Sequence, residues 1–233
     1  SSTAPTADTS TPTADTSTPT ADTSASTNIS GTASKGLILG GDVNAYLIKA
    51  DGSKVEPSIG TAKTNTTDGS YVLTLDTSYN GEPLIIEITA ADGSQMKCDL
   101  SVCRAGDTDE LAITFGELYP LPSTFELSAV SSGSDSASIS INITPAAEAA
   151  NYQIANLLGL DGDITLLPIV DLTDADAING ATADALNANF KSAAVVEAAL
   201  NNSPDGTSLE GALASFVTQY VDSGVADTEG EGV

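Results

Sequence analysis

The fold of this chain is decided by the stretch Thr66-Thr67-Asp68-Gly69-Ser70-Tyr71-Val72-Leu73-Thr74-Leu75. Large apolar side chains at positions 71, 73 and 75 alternate there with Ser70, Val72 and Thr74, and a period of two places neighbouring side chains on opposite faces of a sheet. The Asp-Gly pair before them is a turn signal, because Gly adopts a positive φ and Asp closes a local hydrogen bond. The stretch therefore predicts a turn that leads into a β-strand.

Similar short runs with strand character lie on both sides of this stretch, and turn residues separate them. They occupy residues 36–40, 43–48, 59–65, 83–89, 95–98, 111–115, 125–130 and 137–143. Many short strands joined by Gly-containing turns are typical of two packed antiparallel sheets. The sequence thus predicts a β-sandwich domain over residues 35–143.

Part of this region resembles a known family. Gly36, the run Ala45-Tyr46-Leu47 and the turn and strand at residues 66–73 are similar to the carboxypeptidase regulatory-like domain, a seven-stranded sandwich of the prealbumin type found in bacterial surface and secreted proteins. The turn is one residue shorter here than in the commoner form, and the resemblance covers about residues 35–90. It implies a non-catalytic spacer or binding module.

Residues 144–222 change from strand character to helix character. Thr144, Thr182 and Ser208 each precede an Ala- or Leu-rich run and are suited to cap a helix, as is Thr173 or Asp174. In the longest run, the predicted apolar face consists of Ala185, Leu186, Asn189, Phe190, Ala193, Val196 and Leu200. The predicted fold class is therefore mainly β with α: a prealbumin- or Ig-like β-sandwich followed by a small helical segment, with an acidic tail at residues 223–233.

Residues 1–34 form a low-complexity arm in which Thr-Ala-Asp-Thr-Ser occurs three times with a period of seven. Ser, Thr, Pro and Ala bury too little surface to offset chain entropy, so we expect an extended segment. Two uses remain open: the arm contacts a neighbouring subunit of a filament, or it tethers the domain to a lipid anchor. The arm also carries candidate sites for O-glycosylation at Thr6, Thr9, Thr13, Thr16, Thr20 and Thr23.

The charge balance and the lack of His limit the functions open to this chain. Its 233 residues include 32 Asp and Glu against 7 Lys and Arg, a net charge of −25. This charge repels phosphate backbones, so we expect no nucleic-acid partner. The absence of His removes the commonest general base and zinc ligand, and we expect no catalytic residues and no enzyme. No apolar run reaches the ~18 residues of a membrane-spanning helix.

The two cysteines, Cys98 and Cys103, lie close together in the chain. An even pair at this spacing indicates a disulfide formed in an oxidising compartment, and two reduced thiols are the alternative. The opening residues Ser-Ser-Thr are typical of a processed, exported form. We therefore expect an extracellular or cell-surface location, with outer-membrane anchoring as one form of it.

A cluster of carboxylates raises the question of calcium. Five Asp residues fall within a short segment, at Asp161, Asp163, Asp171, Asp174 and Asp176. Carboxylate oxygens are the ligands that Ca²⁺ prefers, although this spacing is not that of an EF-hand. The alternative is that these residues cap helices and turns. Calcium is the one cofactor that the sequence suggests.

Together these patterns favour a non-enzymatic secreted or cell-surface protein with a structural or adhesive role. Self-association or binding to an extracellular partner is the expected interaction, and a filament subunit is one form of it. Two other hypotheses remain: a sugar- or calcium-binding module of a surface lipoprotein, and an accessory domain of a larger enzyme.

Overall fold

The fold is mostly β with few helices, as the sequence predicted. The computed structural model describes residues 26–100, 102–104, 112–145, 147–148, 164–204 and 209–222. Its strands are β1 (Asn28–Thr32), β2 (Ile38–Leu39), β3 (Asp42–Ile48), β4 (Lys54–Lys63), β5 (Ser70–Thr74), β6 (Leu84–Thr89), β7 (Gln95–Lys97), β8 (Val102–Arg104), β9 (Ala112–Thr114), β10 (Leu118–Pro120), β11 (Glu126–Ser131) and β12 (Ser138–Ser140).

These strands form sheets that pack in a sandwich-like arrangement around one apolar core. One sheet has the order β11-β6-β3-β4 and is antiparallel throughout. A second has the order β12-β1-β5, in which β1 is parallel to β12 and antiparallel to β5. A third has the order β10-β7-β2, and β8 pairs with β9 as a separate ribbon.

The strand predicted from residues 70–75 is confirmed as β5, and its alternation is the one expected. Tyr71, Leu73 and Leu75 are at most 3 % exposed, whereas Val72 is 68 % exposed. The preceding turn also forms as predicted: Gly69 has a φ of +69°, and the amide and hydroxyl of Ser70 both donate to Asp68 Oδ1. The local pattern therefore sets which face of β5 enters the core.

A close approach of backbones fixes β5, β1 and β12 together. The buried Tyr71 hydroxyl donates to the carbonyl oxygen of Ile141 at 2.6 Å. Gly31 makes room for this contact, because a Cβ atom at that position would lie 1.7 Å from the same oxygen. A side chain at position 31 would thus separate β1 from the segment that follows β12.

The helices follow the strands along the chain. They are a 3₁₀ turn (Ile164–Leu166), α1 (Ala175–Gly180), α2 (Ala183–Asn201) and α3 (Leu209–Asp222). Thr182 caps α2 by accepting from the amide of Ala185 at 3.2 Å, as its position suggested. Thr144 accepts from the amide of Ala147 and so caps a helical turn, while residues 149–163 lie outside the described part of the chain.

The buried face of α2 differs from the predicted one. It consists of Ala185, Ala188, Ser192, Val195, Val196 and Ala199, while Phe190 is 57 % exposed. Small side chains allow α2 to approach α3 closely, where Ala212 and Leu213 are fully buried. Ala185 and Val196 belong to both faces, but most of the buried positions lie one residue before the predicted ones, and small side chains occupy most of them.

Polar contacts join the helical part to the strands. Asn142 accepts from the amide of Thr32 with Oδ1, and its side-chain amide donates to the carbonyl of Leu167 at 2.9 Å. The buried Glu148 accepts from both the amide and the hydroxyl of Ser128, which lies on β11. These bonds hold the segment after β12 against β1 and β11.

The strand predictions were wrong for four strands. Strand β1 lies inside residues 1–34, which the sequence analysis assigned to the arm, so the sheet begins earlier than predicted. Strands β8 and β10 were not predicted, and β4 begins at Lys54 instead of residue 59. Strands β1 and β10 pair with strands that lie well apart from them in the chain, and pairing of that kind leaves little trace in a local pattern.

Candidate functional site

The two cysteines are joined in the core of the strand region. Cys98 follows β7 and Cys103 lies on β8, and their sulfur atoms are 2.12 Å apart, which is disulfide-bonding distance. Both residues are buried, with exposed fractions of 0 % and 4 %. A reductant in solution therefore reaches this bond only when the surrounding structure opens.

Next to the disulfide, a small cavity lies between the strands and the helices. It has a volume of about 20 Å³, and its lining includes Lys35, Asp99, Thr144, Asp171, Asn189 and Ser192. Lys35 sits in the connection from β1 to β2 and is only 7 % exposed. Asp99 follows Cys98 directly, so the cross-linked segment positions its carboxyl group at the cavity.

Burial dominates the electrostatics of this cavity. It lowers the pKa of the Lys35 amine below its usual value, although the nearby Asp99 acts in the opposite direction. It raises the pKa of the Asp99 carboxyl above its usual value, although Lys35 and the amide of Gly36 oppose this. Asp99 Oδ1 is buried and has no hydrogen-bond partner among the described residues. Burial therefore favours the neutral amine of Lys35 and the neutral carboxyl of Asp99 more than water does.

Asp171, one of the predicted calcium ligands, lines the same cavity but is engaged by the protein itself. Lys97 donates to its Oδ2 at 2.6 Å, and the amide and hydroxyl of Thr173 donate to Oδ1. Burial raises the pKa of Asp171, but the bonds from Lys97 and Thr173 outweigh it, so its pKa lies below the usual value.

Of the other predicted calcium ligands, Asp174 and Asp176 are described, and neither forms a metal-binding group with Asp171. Asp174 caps α1 by accepting from the amides of Asp176 and Ala177, and Asp176 lies exposed in the first turn of that helix. Asp161 and Asp163 lie outside the described residues, as do the predicted glycosylation sites in the arm. Within the described part of the chain, no group of three metal-binding side chains is found. Calcium binding therefore stays a prediction.

A second cluster of charges lies on the face of the four-stranded sheet that points away from the core. Lys54 on β4 contacts Glu87 on β6 and is 3.5 Å from Glu126 on β11. The Lys54 ammonium also lies 5.2 Å from the centre of the Tyr46 ring, which allows a cation–π contact. The neighbours of Glu87 along β6, Ile86 and Ile88, face the core, so Glu87 points to the opposite face, where it is only 5 % exposed.

The pKa of Glu87 is raised to about 7, first by burial and then by the neighbouring Glu126, while Lys54 opposes the shift. A carboxyl group that titrates near neutral pH beside a second carboxyl is the arrangement found in many acid–base catalysts. Here, however, the two carboxyls are hydrogen-bonded to each other, and the ammonium of Lys54 contacts Glu87 and lies 3.5 Å from Glu126. The cluster thus acts as an internal ion pair that joins three strands.

Local sequence patterns indicate no role for Lys35, Asp99 or the Lys54 cluster. One signal was available: Glu87 is a charged residue in the otherwise apolar strand Leu84–Thr89, and such a residue needs a partner when buried. No comparable signal marks Lys35 and Asp99, because the fold alone brings them to one cavity.

None of the helices in the described ranges has the length and apolar character needed to cross a membrane. No protein-family model, curated protein or solved structure matches this chain.

Proposed function

We propose that this chain is an exported, non-enzymatic protein with a structural or adhesive role at the cell surface or outside the cell. Its strand region is a prealbumin-type sandwich, and the helices act as a brace on that region. The observation that supports this most is the buried pair Cys98 and Cys103 at bonding distance. Disulfides of this kind form and persist in oxidising compartments.

The charges in the structure support a structural role over a catalytic one. Lys54 neutralises Glu87, Lys97 neutralises Asp171, and the carboxyl of Glu148 binds Ser128 at the edge of β11. Each of these charges joins two elements of the fold. A catalytic group would instead face a cleft large enough for a substrate, and the cavity beside Lys35 has a volume of only about 20 Å³.

Self-association is the second part of the proposal. The arm before residue 26 has a composition that cannot form a core of its own, and a sandwich offers strand edges to which an extended segment can add by main-chain hydrogen bonds. At ~3.3 Å per residue, such a segment reaches a neighbouring subunit. We infer that the arm of one chain binds the strand region of the next.

Sedimentation velocity and negative-stain electron microscopy of the full chain test the assembly. The matched control is a variant that lacks residues 1–25 and keeps all described strands. The proposal predicts concentration-dependent oligomers or filaments for the full chain and monomers for the control. A monodisperse monomer for both proteins at every concentration would contradict the proposed assembly.

Protease treatment of intact producing cells tests the location. A surface protein loses its full-length band, while a cytoplasmic marker protein in the same cells stays intact. Full protection of this chain in cells, together with its absence from the medium, would contradict the proposed location.

A further inference from the structure

We propose that the amine of Lys35 and the carboxyl of Asp99 condense to an isopeptide bond, which cross-links the β1–β2 connection to the segment after β7.

The first support is placement. Both side chains line the same small cavity, and Asp99 packs against the residue next to Lys35: a Cβ atom added to Gly36 would lie 3.4 Å from Asp99 Cβ. The Lys35 side chain has four rotatable bonds, so its amine can move within the cavity toward the Asp99 carboxyl. The fold therefore places both side chains at one cavity before any bond forms.

The second support is that both polar groups lack the partners that burial demands. Lys35 is 7 % exposed, and its ammonium makes no ion pair or side-chain hydrogen bond with any residue that the structure describes. Asp99 Oδ1 likewise has no hydrogen-bond partner among those residues. A buried polar group without a partner costs free energy, and a buried charge costs more. An amide bond removes both charges at once.

The third support is the protonation state. Amide formation needs a neutral amine as nucleophile and a neutral carboxyl group as acceptor. Burial moves the pKa of Lys35 down and the pKa of Asp99 up, which are the two directions that this reaction needs. Asp171 does not compete for the amine, because Lys97 and Thr173 already bind its carboxylate.

The step balances without a further reactant. The lone pair of Lys35 Nζ attacks Asp99 Cγ, the N–C bond forms and the bond from Cγ to the hydroxyl oxygen breaks. One proton from Nζ leaves with that hydroxyl as water. A water needs about 10–15 Å³ of such space, and the cavity of about 20 Å³ can hold it.

The intact mass of the full chain, measured after reduction and alkylation of both cysteines, tests the bond. The cross-linked protein is lighter than its sequence by one water, about 18 Da. In the variant Asp99→Asn the same attack releases ammonia, so the expected deficit falls to about 17 Da. The variant Lys35→Met removes the nucleophile, and its mass is expected to equal that of its sequence.

A tryptic map locates the bond in the wild-type protein and does not depend on any variant folding. Trypsin cannot cut after an acylated lysine, so cleavage after Lys35 is lost. The peptide that spans it is then found joined to residues 98–104, which carry Asp99. Lys63 is the internal control: it forms an ordinary ion pair with Asp42 at 2.5 Å and is exposed, and cleavage after it is expected to be complete.

Full sequence mass together with normal cleavage after Lys35 in the folded wild-type protein would overturn the proposal. Lys35 and Asp99 would then be an unlinked buried pair. A mass deficit that persists in Lys35→Met would overturn it as well, because the lost water would have come from another site.

Discussion

Removing the disulfide should lower the free energy of unfolding by an amount set by the length of the loop that the disulfide closes. The double variant Cys98→Ala/Cys103→Ala opens a loop of sequence separation 5. In the chain-entropy treatment, a loop of this length stabilises the folded state by about 2 kcal/mol. For a domain of this size, that corresponds to a fall of about 4–8 °C in the midpoint of thermal unfolding.

Urea unfolding followed by far-UV circular dichroism measures this change, since the chain has no Trp for fluorescence. The control is the wild-type protein unfolded with and without reductant. Reductant should lower the stability of the wild type toward that of the double variant and leave the variant unchanged. Because both sulfurs are buried, the wild type should also resist reduction until urea begins to unfold it. A double variant within about 0.5 kcal/mol of the oxidised wild type would refute the reasoning.

Four further outcomes are expected. Tyr71→Phe removes the buried hydrogen bond to Ile141 and should lower the free energy of unfolding by about 1–2 kcal/mol, while Val72→Thr on the exposed face should change it by less than about 0.5 kcal/mol; equal effects would contradict the assigned faces of β5. Gly31→Ala places a Cβ 1.7 Å from Ile141 O and should lose more stability than Tyr71→Phe, and a neutral result would contradict the close packing of β1. The pKa of Glu87 is raised to about 7, so its protonated form contributes stability that is present below about pH 4.5 and is lost as the pH rises through about 7. The difference in free energy of unfolding between the wild type and Glu87→Gln should therefore change across that window and stay constant above it. Titration calorimetry with Ca²⁺ tests the metal prediction: saturable heat that disappears in Asp161→Asn/Asp163→Asn supports it, and no heat with the full chain disposes of it.

Local patterns predicted the parts of this fold that local chemistry controls. The turn at Asp68 and Gly69, the faces of β5 and the cap at Asp174 each depend on residues within a few positions of one another. The cysteine pair was also predicted from local sequence, because its two members are only five positions apart.

Features that depend on distant parts of the chain escaped prediction. Strand β1 carries one large apolar residue, Ile29, and it is a strand because it lies between β5 and β12, which come from much later in the chain. Lys35 and Asp99 line one cavity together with residues of the helical part, which lie far from both in the chain. The exposed position of Phe190 is set by the approach of α3 to the small residues of α2, which the sequence of α2 alone does not contain.

The state of Cys98 and Cys103 in living cells tests the central claim most directly. Producing cells are quenched in acid, free thiols are blocked with one alkylating reagent, and disulfides are then reduced and labelled with a second. Mass spectrometry of the peptides that carry the two cysteines, taken from the surface and secreted fractions, should show the second label on both. Finding the first label on both, in protein recovered only from the cytoplasm, would contradict an exported structural protein.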